Sequence, residues 1–84
     1  MMKPYYQNNL KEVKIMVIRL KVPQDAYIES AEVDEEGDAY LRCTWKDIGI
    51  EVENVLLCHD GKKVHLGERV LIPYANIAYI VLEP

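Results

Sequence analysis

The apolar positions of this chain fall in short alternating runs broken by turn residues, a pattern of β-strands. From Lys14 to Val22, Met16, Ile18, Leu20 and Val22 share one alternation. Pro23 closes that run, because proline has no N–H to give to a ladder. Asp25 to Val33 sets Ala26, Ile28 and Ser30 against Tyr27, Glu29 and Ala31, a strand with an acidic outer face. Asp34-Glu35-Glu36-Gly37-Asp38 then reads as a hairpin connection, since Gly37 tolerates positive φ and the carboxylates keep the turn in water. Ala39 to Trp45 returns with Tyr40, Arg42 and Thr44 on one face and Leu41, Cys43 and Trp45 on the other. Trp45, the only tryptophan, is expected to anchor the core. Lys46 to Gly49 is a short loop and Ile50 to Cys58 the next strand. Asp60-Gly61 is the dipeptide of a tight hairpin. Gly67 marks a second bend, Glu68 to Ile72 a short strand, Pro73-Tyr74-Ala75 a tight connection, and Asn76 to Glu83 the last strand. Upstream, Tyr6, Leu10 and Val13 have the spacing of a short helix over Tyr5 to Val13. The sum is an all-β fold, a small barrel or sandwich of five or six strands.

The length adds a constraint. Eighty-four residues make one domain, and a domain of that size hides only about 60–65% of its unfolded surface, so it needs a second source of stability. The cysteines Cys43 and Cys58 are expected to be reduced, buried hydrophobes, because the polar start Met1 to Asn9 lacks the apolar stretch of an export signal. A cytoplasmic location follows as the expectation. No apolar run approaches the roughly 18 residues of a membrane span. Association is the remaining source. Val70-Leu71-Ile72 and Ile77 to Leu82, read as a final hairpin, are apolar on both faces, and a strand with one wet face would alternate. A second copy of the chain is the expected cover, with Val70, Ile72, Ile77, Tyr79 and Ile80 as its interface.

Charge is unevenly spread. The net charge is −4, yet residues 1–22 carry a balance of +4 and residues 23–38 one of −7. The acidic total argues against indiscriminate phosphate binding but leaves room for a local basic face.

The stretch Ile72-Pro73-Tyr74-Ala75-Asn76-Ile77-Ala78-Tyr79-Ile80 resembles the second motif of the Sm and Sm-like family, Ile-Arg-Gly-x-Asn-Val/Ile-x-x-Ile, with Ile72, Asn76, Ile77 and Ile80 in place. Ile50 to Val55 resembles the family's third strand, and Asp60 to Val64 the variable loop after it. The likeness covers about residues 48–82 and extends to small phage-type members of the family. The chain has Pro73-Tyr74 where the family has Arg-Gly, and Ile48-Gly49 where it has Met-Asn. The resemblance implies a strongly bent five-stranded barrel. It also implies a homo-oligomeric ring in which the fourth strand of one subunit pairs with the fifth of the next. Single-stranded RNA would bind near the pore, at Lys46-Asp47-Ile48-Gly49 and Pro73-Tyr74-Ala75-Asn76.

Tyr74, held beside a proline, could stack on a base or pack on its own hairpin. Asn76 could read a base edge or cap the turn. Arg42 and Lys46 lie around the other loop, where a cation beside an aromatic makes a stacking and phosphate pattern. Lys62 and Lys63, with His65 and Arg69, form a second basic cluster that is either a phosphate contact or a solvated hairpin tip. Cys43, Cys58, His59 and His65 lack metal-ligand spacing, so no metal or other cofactor is expected. No phosphate loop or nucleophile elbow is present, and no enzyme is expected. The expected function is a ring that binds single-stranded RNA or DNA, in nucleic-acid processing or as an RNA chaperone. The alternative is a structural or protein-interaction module that oligomerises without nucleic acid, favoured by the acidic total and the absent Arg-Gly pair.

Overall fold

The computed structural model describes residues 14–83. The helix expected over residues 5–13 lies outside them. Six strands follow one another: β1 (Ile15–Leu20), β2 (Tyr27–Ser30), β3 (Arg42–Trp45), β4 (Gly49–His59), β5 (Lys62–Pro73) and β6 (Ile77–Leu82). A turn of 3-10 helix, Tyr74–Asn76, separates the last two. The strands form one antiparallel sheet in the order β3-β4-β2-β1-β6, with β5 on the other edge of β4. It curls into a half-barrel, the all-β class expected from the strand pattern, with the bend that the motif likeness implied.

The curl originates in β4. One edge pairs with β5 from Gly49↔Pro73 to His59↔Lys62. The other edge is shared, with β3 opposite Ile50–Glu53 and β2 opposite Val55–Cys58. Asn54, between the two, has φ +51°, in the left-handed region where a strand cannot run straight. β5 answers at the same level. Val55 faces Gly67 while Leu56 faces His65, so Leu66 is an extra residue, and Gly67 sits at φ +130°. Such a bulge bends the strand and sharpens its twist. Asp60 (φ 57°) and Gly61 (φ 74°) make the tight β4–β5 turn that the Asp-Gly pair predicts.

The concave face holds the core. Ile18, Ile28, Ile50, Val52 and Val55 are fully buried, and Ile15, Leu20, Ala26, Leu41 and Ile72 complete the cluster. Each large aliphatic side chain contributes about 1.5–3 kcal/mol by leaving water. Leu41 N–H donates to the Ile15 carbonyl (2.9 Å), bringing the approach to β3 against β1.

Four expectations change. Residues 34–38 do not join a hairpin, because β2 and β3 both pair with β4 and not with each other. The segment closes on itself, with Asp34 N–H bonding the Asp38 carbonyl (2.8 Å) and the Asp34 carboxylate accepting the Glu36 and Asp38 N–H groups (both 2.9 Å). The strand expected over Glu68 to Ile72 is the second half of the twelve-residue β5, and the bend at Gly67 is its bulge. β5 and β6 are not a hairpin either: the 3-10 turn carries the chain round a corner and β6 pairs with β1, Ile18 opposite Ile80. Trp45 is not a core anchor and stays 60% exposed. It pairs with Ile50 on the core side, but at the rim, where β3 has no further strand beside it among the described residues.

Candidate nucleic-acid interface

The two loops singled out by sequence come together at one rim. Pro73, the last residue of β5, pairs with Gly49, the first of β4. The backbones approach so closely that a Cβ on Gly49 would overlap the Ile72 carbonyl oxygen and lie 2.8 Å from its carbon and 2.9 Å from Pro73 Cα. Tyr74 is tied to the opposite loop twice: its N–H donates to the Ile48 carbonyl (3.0 Å) and its hydroxyl to the Lys46 carbonyl (2.6 Å). Lys46 N–H donates to the Gly49 carbonyl (2.9 Å) and closes that loop. The Tyr74 ring therefore lies along the Trp45 ring, with centroids 6.4 Å apart and planes 21° from parallel. Both rings are open to solvent, as is Ile48. Rings held this way lose little freedom when a flat ligand stacks on them.

The other candidates separate. Asn76 uses both ends of its side-chain amide on the Val22 backbone, accepting from its N–H (2.9 Å) and donating to its carbonyl (2.8 Å). Its own carbonyl accepts from Lys21 N–H (2.9 Å). Asn76 thus braces the β6 entry against the β1 exit. Lys46 Nζ lies 3.9 Å from the Glu51 carboxylate, which Arg69 also approaches (3.8 Å). Arg42 faces away from Trp45 and bonds Glu32 (2.9 Å), with Glu53 at 4.0 Å. Glu32 also accepts the Asn54 side-chain N–H, and Asn54 Oδ1 lies 2.7 Å from His65 Nε2. Because the Asn54 nitrogen is committed to Glu32, its oxygen is the acceptor and His65 Nε2 carries the proton. The Asn54 and Arg42 hydrogen bonds hold the Glu32 carboxyl below its ordinary pKa, and Glu32 raises that of Arg42.

Lys62 and Lys63 sit at the far end of β5, roughly 35 Å of extended strand from Pro73. Lys63 is paired with Glu29 at 2.8 Å. The second basic cluster does not join the aromatic rim, and its residues split between Glu29, Asn54 and Glu51.

Of the five expected interface residues, Ile72 is buried in the core of its own chain, and Val70, Ile77 and Ile80 pack against the same core. Tyr79 is 57% exposed. The other open apolar positions of β6 are Ala78, Val81 and Leu82. β6 borders only β1, and β5 only β4, so among the described residues each keeps an edge without a ladder partner.

Burial pushes the Cys43 thiol up to about 11 and raises that of Cys58, so both are protonated at neutral pH. Among the described residues, the side chains close enough to surround an ion are Asp34, Glu36 and Asp38, all exposed, and neither cysteines nor histidines form such a group. No helix among the described residues is long and apolar enough to cross a membrane.

Sequence reasoning passed over Arg19 and Tyr27. The Arg19 guanidinium carbon lies 5.0 Å from the centre of the Tyr27 ring. The signal was legible: Arg19 is the one charge inside the apolar run Ile15–Leu20. Comparison with protein-family models, curated proteins and solved structures found no match to this chain.

Proposed function

We propose that the chain is a non-catalytic subunit of a homo-oligomeric, Sm-like ring that binds single-stranded nucleic acid, RNA foremost, at the Trp45–Tyr74 rim. The observation that carries this reading is the convergence of residues 46–49 and 73–76, which exposes two near-parallel rings beside Lys46. Stacking on aromatic rings tolerates any base and is worth about 1–3 kcal/mol per base. The ring component rests on the edges of β5 and β6 that have no ladder partner among the described residues and on the exposed Tyr79, Val81 and Leu82, an arrangement that invites edge pairing.

A second reading, an oligomeric protein-interaction module, is favoured by one specific observation. Arg42, Lys46 and Lys63 each already face a carboxylate, so a phosphate would have to compete for them. Fluorescence polarisation with short U-rich and A-rich RNA, on protein whose assembly is fixed by native mass measurement, separates the two. Trp45→Ala removes an exposed ring without touching the core and should weaken RNA binding about tenfold. Unchanged affinity in Trp45→Ala rejects the rim, and no binding by assembled wild-type protein at low salt favours the protein module.

A further inference from the structure

We infer a second surface for single-stranded nucleic acid, on the outer face of β6, β1 and β2, built from Tyr79, Arg19, Lys21 and Tyr27. Register creates it. Arg19 is directly opposite Tyr79 on one side and Tyr27 on the other, so the three side chains stand in one row on one face. The row continues through Cys58 to Lys63. Neighbouring strands lie about 4.8 Å apart, which sets the two tyrosines roughly 10 Å apart with the guanidinium between them. At one end of the row, beside the β1–β2 turn, a cleft of about 390 Å3 is lined by Arg19, Lys21, Gln24, Asp25 and Tyr79 among others.

The cations here differ from those at the rim. The ion pairs among the described residues involve Arg42, Lys46, Lys63 and Arg69, and none involves Arg19 or Lys21. From Lys14 to Val22 the chain carries Lys14, Arg19 and Lys21 and no carboxylate. A phosphate arriving at Arg19 and Lys21 displaces no salt bridge among these residues, whereas one arriving at Lys46 competes with Glu51. Tyr79 is 57% exposed and offers its ring to solvent. A free phosphate would use the cations and leave the rings idle. An apolar peptide would use the rings and leave two cations without counter-charge. A strand of nucleotides uses both, with a base on Tyr79 and phosphates on Lys21 and on Arg19, whose guanidinium is backed by the Tyr27 ring. The inference shares its ligand class with the proposed function but requires neither the rim nor its residues.

The test is the salt dependence of binding of short RNA and DNA oligonucleotides by the full chain, between about 50 and 200 mM salt, with the assembly state checked for each variant. The double variant Arg19→Gln, Lys21→Gln should bind at least about tenfold more weakly at the low-salt end. Its slope of log K against log salt should be shallower by about 1.4, which is 0.7 for each lost phosphate contact. Tyr79→Ala should lose about tenfold in affinity, and Tyr79→Phe should restore it, because the ring and not the hydroxyl stacks. If the double variant loses binding while Trp45→Ala keeps it, this surface stands and the rim falls. If the double variant binds with wild-type affinity and slope, the inference is overturned, even where Trp45→Ala loses binding. Assembled wild-type protein that binds neither RNA nor DNA at low salt overturns both surfaces.

Discussion

Gly49→Ala tests the contact on which the aromatic rim depends. Gly49 and Pro73 face each other across the β4–β5 ladder, and an added methyl would meet backbone on every near side: the Ile72 carbonyl oxygen, its carbon at 2.8 Å and Pro73 Cα at 2.9 Å. No rotation of a flexible side chain relieves that overlap, so the strands must part. Inserting a methyl into a packed site costs about 1–3 kcal/mol. Parting the strands also loosens the two hydrogen bonds of Tyr74 to Ile48 and Lys46, each worth about 0.5–1.5 kcal/mol net. A total loss of about 2–4 kcal/mol follows. For a domain of this size each kcal/mol lowers Tm by roughly 4–8 °C, so the variant should melt about 8–32 °C below wild type. Thermal and urea melts followed by far-UV circular dichroism read this directly, and the emission of Trp45, the sole tryptophan, reports the rim itself. Gly61→Ala is the control. Nothing lies within 4 Å of a Cβ there, and only the left-handed backbone at φ +74° resists it, at roughly 1 kcal/mol. Should Gly49→Ala melt no lower than Gly61→Ala, the close approach of the two strands is not as described and the rim geometry loses its foundation.

Two further outcomes are expected. Asn76→Ala removes both side-chain bonds to the Val22 backbone and should cost about 1–3 kcal/mol in a urea melt, with the larger effect on β6, which hydrogen exchange would show as lost protection from Ile77 to Leu82. Glu32 has a folded pKa below its ordinary 4.5, so its contacts with Asn54 and Arg42 stabilise the fold above that pH and their contribution disappears as pH falls through the lowered folded value. The Tm difference between wild type and Glu32→Gln should therefore be largest near neutrality and shrink on acidification, and a difference that grows below pH 4.5 would contradict the assignment.

Periodicity identified β1, β2 and β4 well because each has one covered face: Ile18 and Leu20, Ile28 and Ser30, and Ile50 and Val52 are buried at alternate positions. The Asp60-Gly61 turn was legible for the same local reason, since its backbone needs residues tolerant of positive φ. Partner choice was not legible. Nothing in residues 27–45 reports that β2 and β3 share β4 and ignore each other, because side-chain alternation records a strand's faces and says nothing of its edges. The same blindness made β5 and β6 look like a hairpin. Trp45 misled for a related reason. Its alternation with Leu41 and Cys43 assigns it correctly to the core-side face, but a face ends at a rim, and only the topology places the rim at the last residue of β3. The candidate loops were found from a motif likeness, and their meeting at Gly49 and Pro73 depends on β4–β5 pairing. Arg19 was readable as a charge in an apolar strand, yet its tyrosine neighbours come from β2 and β6 and needed the register.

The placement of the rim traces back to the middle of β4. A straight strand offers one line of donors and acceptors along each edge, enough for one partner. With Asn54 in the left-handed region the edge turns, and β3 takes the part before the bend and β2 the part after it. The buried positions step from Val52 to Val55 across Asn54, an odd interval that a regular strand does not permit. The bend therefore keeps apolar residues inward on both halves while the sheet curls. The side chain of Asn54 contributes as well, bonding Glu32 on one side and His65 on the other, so the bend is fastened to the segment after β2 and to β5 at the bulge. A β-branched residue at this position would resist the left-handed backbone and straighten β4. A straight β4 cannot keep β2 and β3 on one edge, and Trp45 would then lose its place beside the turn that carries Tyr74.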